Sequence, residues 1–86
     1  MFYVYILKSL IDQNGYIGTT KNLEERLNQH NTGLVCSTAR RKPFILVYSE
    51  EFQTLSDARK REWFLKCTPQ GGKLKRRILD MAGVAV

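Results

Sequence analysis

The chain has 86 residues with a net charge of +6, and 43% of them are hydrophobic. That length supports one domain, which we place over residues 1–86, and no stretch approaches the roughly 20 apolar residues of a membrane-spanning helix. The composition therefore predicts a cytoplasmic protein without a membrane partner. Cys36 and Cys67 stand far apart and there is a single histidine, which disfavours both a disulfide framework and a zinc site.

The excess positive charge lies in the second half of the chain. Residues 1–39 hold three basic and three acidic side chains, whereas residues 40–86 hold eleven basic and five acidic ones. The basic residues of the second half concentrate in three clusters, at 40–42, 59–61 and 73–77. Such clusters suit a polyanion through phosphate neutralisation, and a solvated surface explains the charge alone equally well. Charge therefore points toward nucleic acid without establishing it.

The first predicted element is a hairpin of two strands. Residues 2–8 are rich in aromatic and β-branched side chains, and strand alternation sends odd-numbered and even-numbered side chains to opposite faces. Asn14-Gly15 is a strong hairpin signal because both residues tolerate positive φ. Residues 16–20 are then predicted to pair back in antiparallel fashion, which brings Tyr16 close to the first strand.

A helix with two polar residues on its apolar face follows. Asn22 and Glu25 have the spacing of a capping box, which predicts the start of the helix, and Gly33 predicts its end. The 3.6-residue period places Arg26 and His30 in the same narrow arc as two leucines. Polar groups on such a face either pair with one another inside the domain or line a cleft.

The second half of the chain is predicted to begin with a strand and a helix. Residues 44–48 are apolar on both faces, which predicts a strand that is central in the sheet or covered by helices. Thr54 is a predicted cap for a second helix, which ends near Cys67 and carries Glu62 among apolar residues.

The last predicted element is a short helix. Residues 68–72, with one proline and two glycines, are predicted to break the second helix before a third one over residues 73–81. The order of elements is therefore β-β-α-β-α-α. It predicts an α/β fold of the α+β sandwich type, with a three-stranded antiparallel or mixed sheet flanked by helices.

Five polar side chains on these elements could converge and carry chemistry: Tyr5, Tyr16, Arg26, His30 and Glu62. Hydrolysis of a phosphodiester needs a carboxylate to hold a divalent cation, a guanidinium to pair with the phosphate, and a base or proton relay for the attacking water. A single carboxylate limits the design to one mostly hydrated Mg²⁺ or Mn²⁺. Taken singly, each residue also has a structural explanation, such as an aromatic core position, a snorkelling arginine or an ion pair within one helix.

The chain resembles the GIY-YIG nucleases. The YIG letters stand at residues 16–18, and Tyr-Val-Tyr occupies the GIY position at residues 3–5. Residues 21–27 and 61–66 are also similar to the family at compatible spacing. The resemblance covers residues 2–80 and is closest to the small, stand-alone bacterial members.

The resemblance implies a role for each of the five polar residues. Tyr5 and Tyr16 would contact the attacking water or the scissile phosphate, with Tyr16 as the proposed general base. Arg26 would stabilise the transition state, and His30 would relay a proton. Glu62 would hold the single metal ion.

A second group of residues is predicted to contact nucleic acid, namely Lys21, Arg40, Arg41, Lys42 and Lys66. Hydroxyl contacts from Ser37 and Thr38 would add to them. Trp63 and Phe64 are interpreted as core residues, with base stacking by Trp63 as the alternative.

The sequence thus predicts a metal-dependent DNA endonuclease that acts as a monomer on branched, damaged or single-stranded DNA, in repair or recombination. Two alternatives stay open: a nucleic-acid-binding module without catalysis, and a nuclease subunit whose protein partner recognises the substrate. RNA also stays open as a substrate. The complete set of five residues favours the enzyme, because a pure binder has no use for Glu62 beside phosphates.

Overall fold

The computed structural model describes residues 1–35 and 38–84, with side chains up to residue 81. The elements are, in chain order, β1 (Phe2–Ser9), β2 (Gly15–Thr20), α1 (Leu23–Asn31), a short 3₁₀ helix (Ala39–Arg41), β3 (Phe44–Phe52), α2 (Leu55–Cys67) and α3 (Pro69–Val84). The predicted α+β fold and its order β-β-α-β-α-α are confirmed. Within the described ranges, no helix has the length and apolar character needed to cross a membrane.

The three strands form one antiparallel sheet in the order β2-β1-β3, so β1 is central and β3 lies at an edge. Of the two positions predicted for residues 44–48, the central one is wrong, and cover by helices is confirmed for part of the strand. The pairing of β1 with β3 skips Val47, so the register of β3 is irregular at this residue. Val47 and Tyr48 pack against a helix-covered core, whereas Ile45 and Leu46 are 38% and 40% exposed.

The sheet has two covered faces, and alternation along β1 supplies both. On the face under α2 and α3, which we call the apolar face, the buried residues are Val4, Ile6, Ile17, Ala58 and Leu65. On the face toward α1, which we call the polar face, the buried hydrophobic residues are Tyr5, Leu7 and Phe44, with Tyr16, Leu23 and Leu27 packed against them. The predicted alternation of β1 is confirmed.

The predicted starts of α1 and α2 are confirmed, but the capping box of α1 is half formed, because the Asn22 N–H donates to the Thr20 hydroxyl instead of the Glu25 side chain. The Asn22 side chain accepts a hydrogen bond from the backbone N–H of Glu25 at 3.1 Å. The Thr54 hydroxyl accepts one from the N–H of Asp57 at 3.1 Å. These bonds satisfy donors that have no partner inside the helix. The end of α1 is confirmed as well, since Gly33 has a φ of +81° just beyond it.

The predicted end of α2 at Cys67 is confirmed, but the break after it is shorter than predicted, because α3 begins at Pro69 instead of residue 73. The Thr68 hydroxyl accepts a hydrogen bond from the N–H of Gly71 at 3.0 Å, so threonine and proline serve as cap and first residue of α3. A Cβ atom on Gly71 would overlap the backbone carbonyl of Phe64. This glycine therefore permits a close approach of α2 and α3 and does not end a helix.

The hairpin is confirmed, but its tight Asn-Gly turn is not. Gln13 is the residue with positive φ, at 63°, and Gly15 already belongs to β2. The Ser9 hydroxyl accepts hydrogen bonds from the N–H groups of Ile11 and Asp12, at 3.1 and 3.3 Å. A buried serine thus favours a longer loop over a two-residue turn.

Candidate active site

Four of the five predicted site residues meet on the polar face of the sheet. The Tyr5 hydroxyl lies 3.2 Å from Nε2 of His30, and Nε of Arg26 donates to the same hydroxyl at 3.3 Å. The ring of Tyr16 meets the His30 ring edge-on, with centroids 4.8 Å apart. The centroids of the two tyrosine rings are 6.3 Å apart. Strands β1 and β2 and helix α1 therefore each contribute to one cluster.

A glycine on β2 makes room for this cluster. Tyr5 and Gly18 are cross-strand partners in the pairing of β1 with β2. A Cβ atom at position 18 would overlap the hydroxyl and the ring of Tyr5. Because glycine has no side chain there, the tyrosine can lie across β2 and reach α1.

The donor and the acceptor of each hydrogen bond in the cluster follow from the partners of Thr38. The Thr38 hydroxyl donates its only proton to the carbonyl of Val35 at 3.3 Å, so it accepts from Nδ1 of His30 at 2.8 Å. With the proton on Nδ1, Nε2 of His30 accepts from the Tyr5 hydroxyl. The Tyr5 oxygen in turn accepts from Arg26. The chain Arg26–Tyr5–His30–Thr38 is thus fully paired from the helix surface to the interior.

Burial keeps the interior of this chain neutral. Desolvation, followed by the positive charge of Arg26, lowers the pKa of His30 below its ordinary value of 6.5. Desolvation also raises the pKa of Tyr5, although its hydrogen bond from Arg26 opposes the shift. The hydrogen bond with Tyr5 raises the pKa of Arg26. At neutral pH this series of hydrogen-bonded groups therefore holds one cation, Arg26, beside a neutral tyrosine and a neutral histidine.

Glu62 lies on α2, which covers the apolar face of the sheet, and it contacts β2 at Thr19. Its Oε1 accepts from the Thr19 hydroxyl at 2.5 Å, and its Oε2 accepts from Nζ of Lys66 at 2.8 Å. Burial raises the pKa of Glu62, but the hydrogen bonds from Lys66 and Thr19 outweigh it and leave the pKa below its ordinary value. Nζ of Lys66 also lies 5.9 Å from the ring centroid of Tyr16. Lys66 therefore stands between the carboxylate and the tyrosine cluster.

Two adjoining grooves flank the end of β2. A groove of about 580 Å³ contains Glu62 together with Arg59, Trp63 and Lys66. A smaller groove of about 240 Å³ contains Arg26. Residues 19–21 line both grooves. A nucleic-acid strand that lies across residues 19–21 would therefore bring its phosphates to the Glu62 carboxylate on one side and to the Arg26 guanidinium on the other.

The residues predicted to contact nucleic acid differ in how freely they face solvent. Lys21 is exposed and lines both grooves. Arg40 and Lys42 are exposed on the loop before β3. Arg41 is half-buried, and its Nε lies 2.7 Å from Oδ2 of Asp12. Arg41 thus ties the loop to the hairpin and has fewer donors left for a phosphate.

Two interpretations outside the tyrosine cluster are corrected. Thr38 is 1% exposed and bonded to His30, so its hydroxyl faces the interior instead of a substrate. Trp63 is 61% exposed and is no core residue, whereas Phe64 packs against the core as predicted. The predictions for Ser37 and Cys36 concern positions outside the described residues.

Sequence reasoning gave no site role to Thr19 or Arg59. Thr19 holds the Glu62 carboxylate, and strand alternation could have indicated this because it places Thr19 on the same face as Ile17, toward α2. Arg59 precedes Glu62 by one helical turn, and its charge contributes to lowering the pKa of Glu62. In the sequence, the three-residue spacing of Arg59 and Glu62 indicates only an ion pair within one helix.

The residues present fit a divalent cation held by a single protein ligand. Among the described residues, no group of three or more His, Cys, Asp or Glu side chains surrounds a common point. Glu62 is a hard, ionised oxygen ligand, which suits Mg²⁺ or Mn²⁺ with mainly water in its coordination shell. Because Lys66 occupies one of its oxygens, a cation bound there would compete with the ammonium group.

Comparison with known proteins agrees with this geometry. A family model described as the GIY-YIG catalytic domain matches residues 1–75. The chain is 42% identical over 76 residues to a UPF0213 protein of Clostridium perfringens, over 87% of this chain and 81% of the relative. It is 43% identical over 74 residues to one of Oceanobacillus iheyensis, covering 85% of each chain. A third, from Pediococcus acidilactici, is 39% identical over 88 aligned positions that cover 99% of this chain and 87% of the relative.

The family match spans most of the chain and includes four residues of the tyrosine cluster and the Glu62 carboxylate. The resemblance seen in the sequence is therefore confirmed. A GIY-YIG catalytic domain places the chain among nucleases and implies DNA as a ligand. The protein belongs to the GIY-YIG nuclease family, alongside the small UPF0213 proteins of bacteria.

Proposed function

We propose that the protein is an endonuclease that hydrolyses DNA phosphodiester bonds with one divalent cation, Mg²⁺ or Mn²⁺. The observation that carries the proposal is the placement of Arg26 and an ionised Glu62 in adjoining grooves on either side of residues 19–21. Phosphoryl chemistry needs positive charge on the phosphate and a ligand for a cation, and these two side chains supply them.

Arg26 would bind the scissile phosphate as negative charge develops on its oxygens. Its Nε is fixed by Tyr5, and its Nη1 donates to Gln29 at 3.0 Å, so the guanidinium is oriented before a substrate arrives. A guanidinium held in place loses little freedom on binding and keeps its remaining donors for the phosphate.

Tyr16 would contact the attacking water, because it is only half-buried while Tyr5 is 2% exposed. Tyr16 lies close enough to Arg26 to contribute, after Tyr5, to raising the pKa of Arg26. The same contact would stabilise a phenolate on Tyr16 as it takes the proton of the water.

His30 would act through Tyr5, since it has no exposed surface. It holds the Tyr5 hydroxyl at 3.2 Å, and that hydroxyl holds Arg26. We therefore assign His30 and Tyr5 to positioning of the guanidinium. Glu62 would hold the divalent cation, which polarises a phosphate oxygen and assists the leaving group.

We further propose that the protein works in the cytoplasm as a monomer, on branched, damaged or single-stranded DNA in repair or recombination. Lys21, Arg40 and Lys42 would bind the flanking phosphates, because they are exposed near the grooves or on the adjacent basic loop. A protein partner for targeting is compatible with this proposal. RNA is the alternative substrate.

The test is cleavage of branched, nicked, single-stranded and duplex DNA with Mg²⁺ or Mn²⁺. Arg26→Lys should lower the rate by about 100- to 1,000-fold, because it removes an oriented transition-state donor. Glu62→Gln should abolish the cleavage that Mg²⁺ or Mn²⁺ supports, because it removes the charged ligand of the cation. The exposed residues Glu51 and Arg77 offer matched controls, and Glu51→Gln and Arg77→Lys should cleave like the wild type.

Equal cleavage by all four variants would identify a contaminating nuclease and overturn the proposal. A non-catalytic binding module is the second candidate, and one observation favours it. Both oxygens of Glu62 are occupied, by Thr19 and Lys66, as in a structural ion pair. DNA binding by the wild type without cleavage of any substrate would support this candidate.

A further inference from the structure

Trp63 is the only tryptophan of the chain, and it lies on the surface of α2 instead of in the core. It follows Glu62 on α2 and is 61% exposed. It lines the groove of Glu62 and also a neighbouring groove of about 790 Å³ along α2. Leu55 and Arg59 also line both grooves, so the indole lies with them where the two grooves meet, one residue from the proposed metal ligand.

The surroundings of Trp63 combine an apolar surface with positive charge. Leu55 and Phe64 line the neighbouring groove, together with the basic residues Arg59 and Lys60. Among the described residues that line the two grooves, Glu62 is the only acidic one. A flat apolar platform bordered by cations is complementary to a ligand that joins an aromatic ring to phosphates.

That description fits a nucleobase in a single strand. An exposed base stacks on an aromatic side chain in a way that tolerates any sequence, while basic side chains bind the adjoining phosphates. A base inside a duplex is already stacked on its neighbours and cannot lie flat on an exposed indole. The indole plane therefore selects unpaired bases over paired ones.

We propose that Trp63 stacks on an unpaired nucleobase of DNA next to the phosphate bound at the Glu62 groove. The inference rests on the proposed function and names the substrate class of the same site, namely DNA with unpaired bases beside the cleaved bond. The basic residues Arg59 and Lys60 would hold the phosphates on either side of the stacked base.

The experiment uses the fluorescence of this single tryptophan in EDTA, where no divalent cation supports cleavage. Titration with a short oligothymidylate should shift and quench the emission. An abasic oligonucleotide of equal length and charge should leave the emission nearly unchanged, as should a blunt duplex. Quenching of equal depth by the abasic strand would overturn the proposal, because phosphates alone would then explain it.

Variants give a second readout, the anisotropy of a labelled single strand. Trp63→Ala should weaken binding of the single strand by about 5- to 100-fold, the range expected for one stacked base. Trp63→Phe should retain most of the affinity, and the affinity for duplex should stay the same in both. Ile11→Ala is the matched control, since Ile11 is a 66% exposed hydrophobic residue on the hairpin loop. Unchanged single-strand affinity in Trp63→Ala would contradict the proposal.

The outcomes separate this inference from the proposed function. Base-dependent quenching without any cleavage would retain the stacking role and reject the enzyme. If the protein cleaves DNA but its tryptophan emission does not respond to single strands, the proposed enzyme is retained and the stacking role is rejected. Emission that changes with protein concentration in the absence of DNA would assign the Trp63 surface to a second copy of the chain and reject stacking.

Discussion

The two faces of the sheet are buried to the same degree but are held together by different forces. On the apolar face, Val4 and Ile6 have no exposed surface and contact other hydrocarbon side chains. On the polar face, Tyr5, His30 and Thr38 are at most 2% exposed and are joined by hydrogen bonds. One strand supplies both faces through alternate residues.

The comparison teaches where a small domain can place polar groups. Among the described residues, no buried side-chain nitrogen or oxygen lacks a hydrogen-bond partner. A fully paired network is rigid, whereas the loss of one partner leaves another group buried and unpaired. The apolar face should therefore respond to lost volume, and the polar face to a lost partner.

The largest expected effect belongs to the apolar face. Ile6→Ala should lower the free energy of unfolding by about 2–5 kcal/mol, because it removes buried hydrocarbon and leaves a cavity. Urea unfolding followed by circular dichroism measures this loss. Ile11→Ala is the exposed control and should change stability by less than about 0.5 kcal/mol. A similar loss in the two variants would remove the distinction between core and surface on this face.

A smaller effect should follow from deleting one partner on the polar face. Thr38→Val keeps the shape of the side chain but leaves Nδ1 of His30 without an acceptor, which should cost about 1–3 kcal/mol of unfolding free energy. Thr38→Ser keeps the hydroxyl and should recover most of that loss. Equal stability of the valine and serine variants would mean that the hydrogen bond contributes nothing.

The smallest expected effect concerns pH. The folded pKa of His30 lies below the unfolded value of 6.5, so between those two values the unfolded state binds more protons. The contribution of His30 to stability is therefore complete above pH 6.5 and is lost as the pH falls below it. His30 is the only histidine, so its NMR titration can be followed directly in the folded protein and in urea. A folded midpoint at or above the midpoint in urea would contradict the assigned burial and hydrogen bonding.

Local features of the fold could be predicted from the sequence, and features set by distant contacts could not. The cap at Asn22, the cap at Thr54 and the alternation of β1 depend on a few neighbouring residues, and all are confirmed. The edge position of β3 depends on which strands pair with β1. The role of Gly71 depends on the close approach of α2 to α3. Neither can be inferred from a short window of residues.

The candidate site divides in the same way. Helical patterning singled out Arg26, His30 and Glu62, and the predicted hairpin added the two tyrosines. The resemblance to a family then gave each residue a role. Thr38 lies in a loop without periodicity, so nothing in the sequence linked its hydroxyl to the histidine. The sequence also favoured the interior for Trp63, because a bulky aromatic residue is normally buried, and the structure places it at the rim of a groove.

The pairing of Tyr5 with Gly18 has a consequence for how the family motif varies. The first half of the motif provides a ring, and the second half provides the empty space that the ring fills. Tyr5 and Gly18 therefore form one packing unit, although they lie on different strands. Any side chain at position 18 would have to be accompanied by a smaller residue at position 5, so position 18 cannot change while the large ring remains. A relative that keeps the large ring at position 5 is therefore expected to keep glycine at position 18 as well.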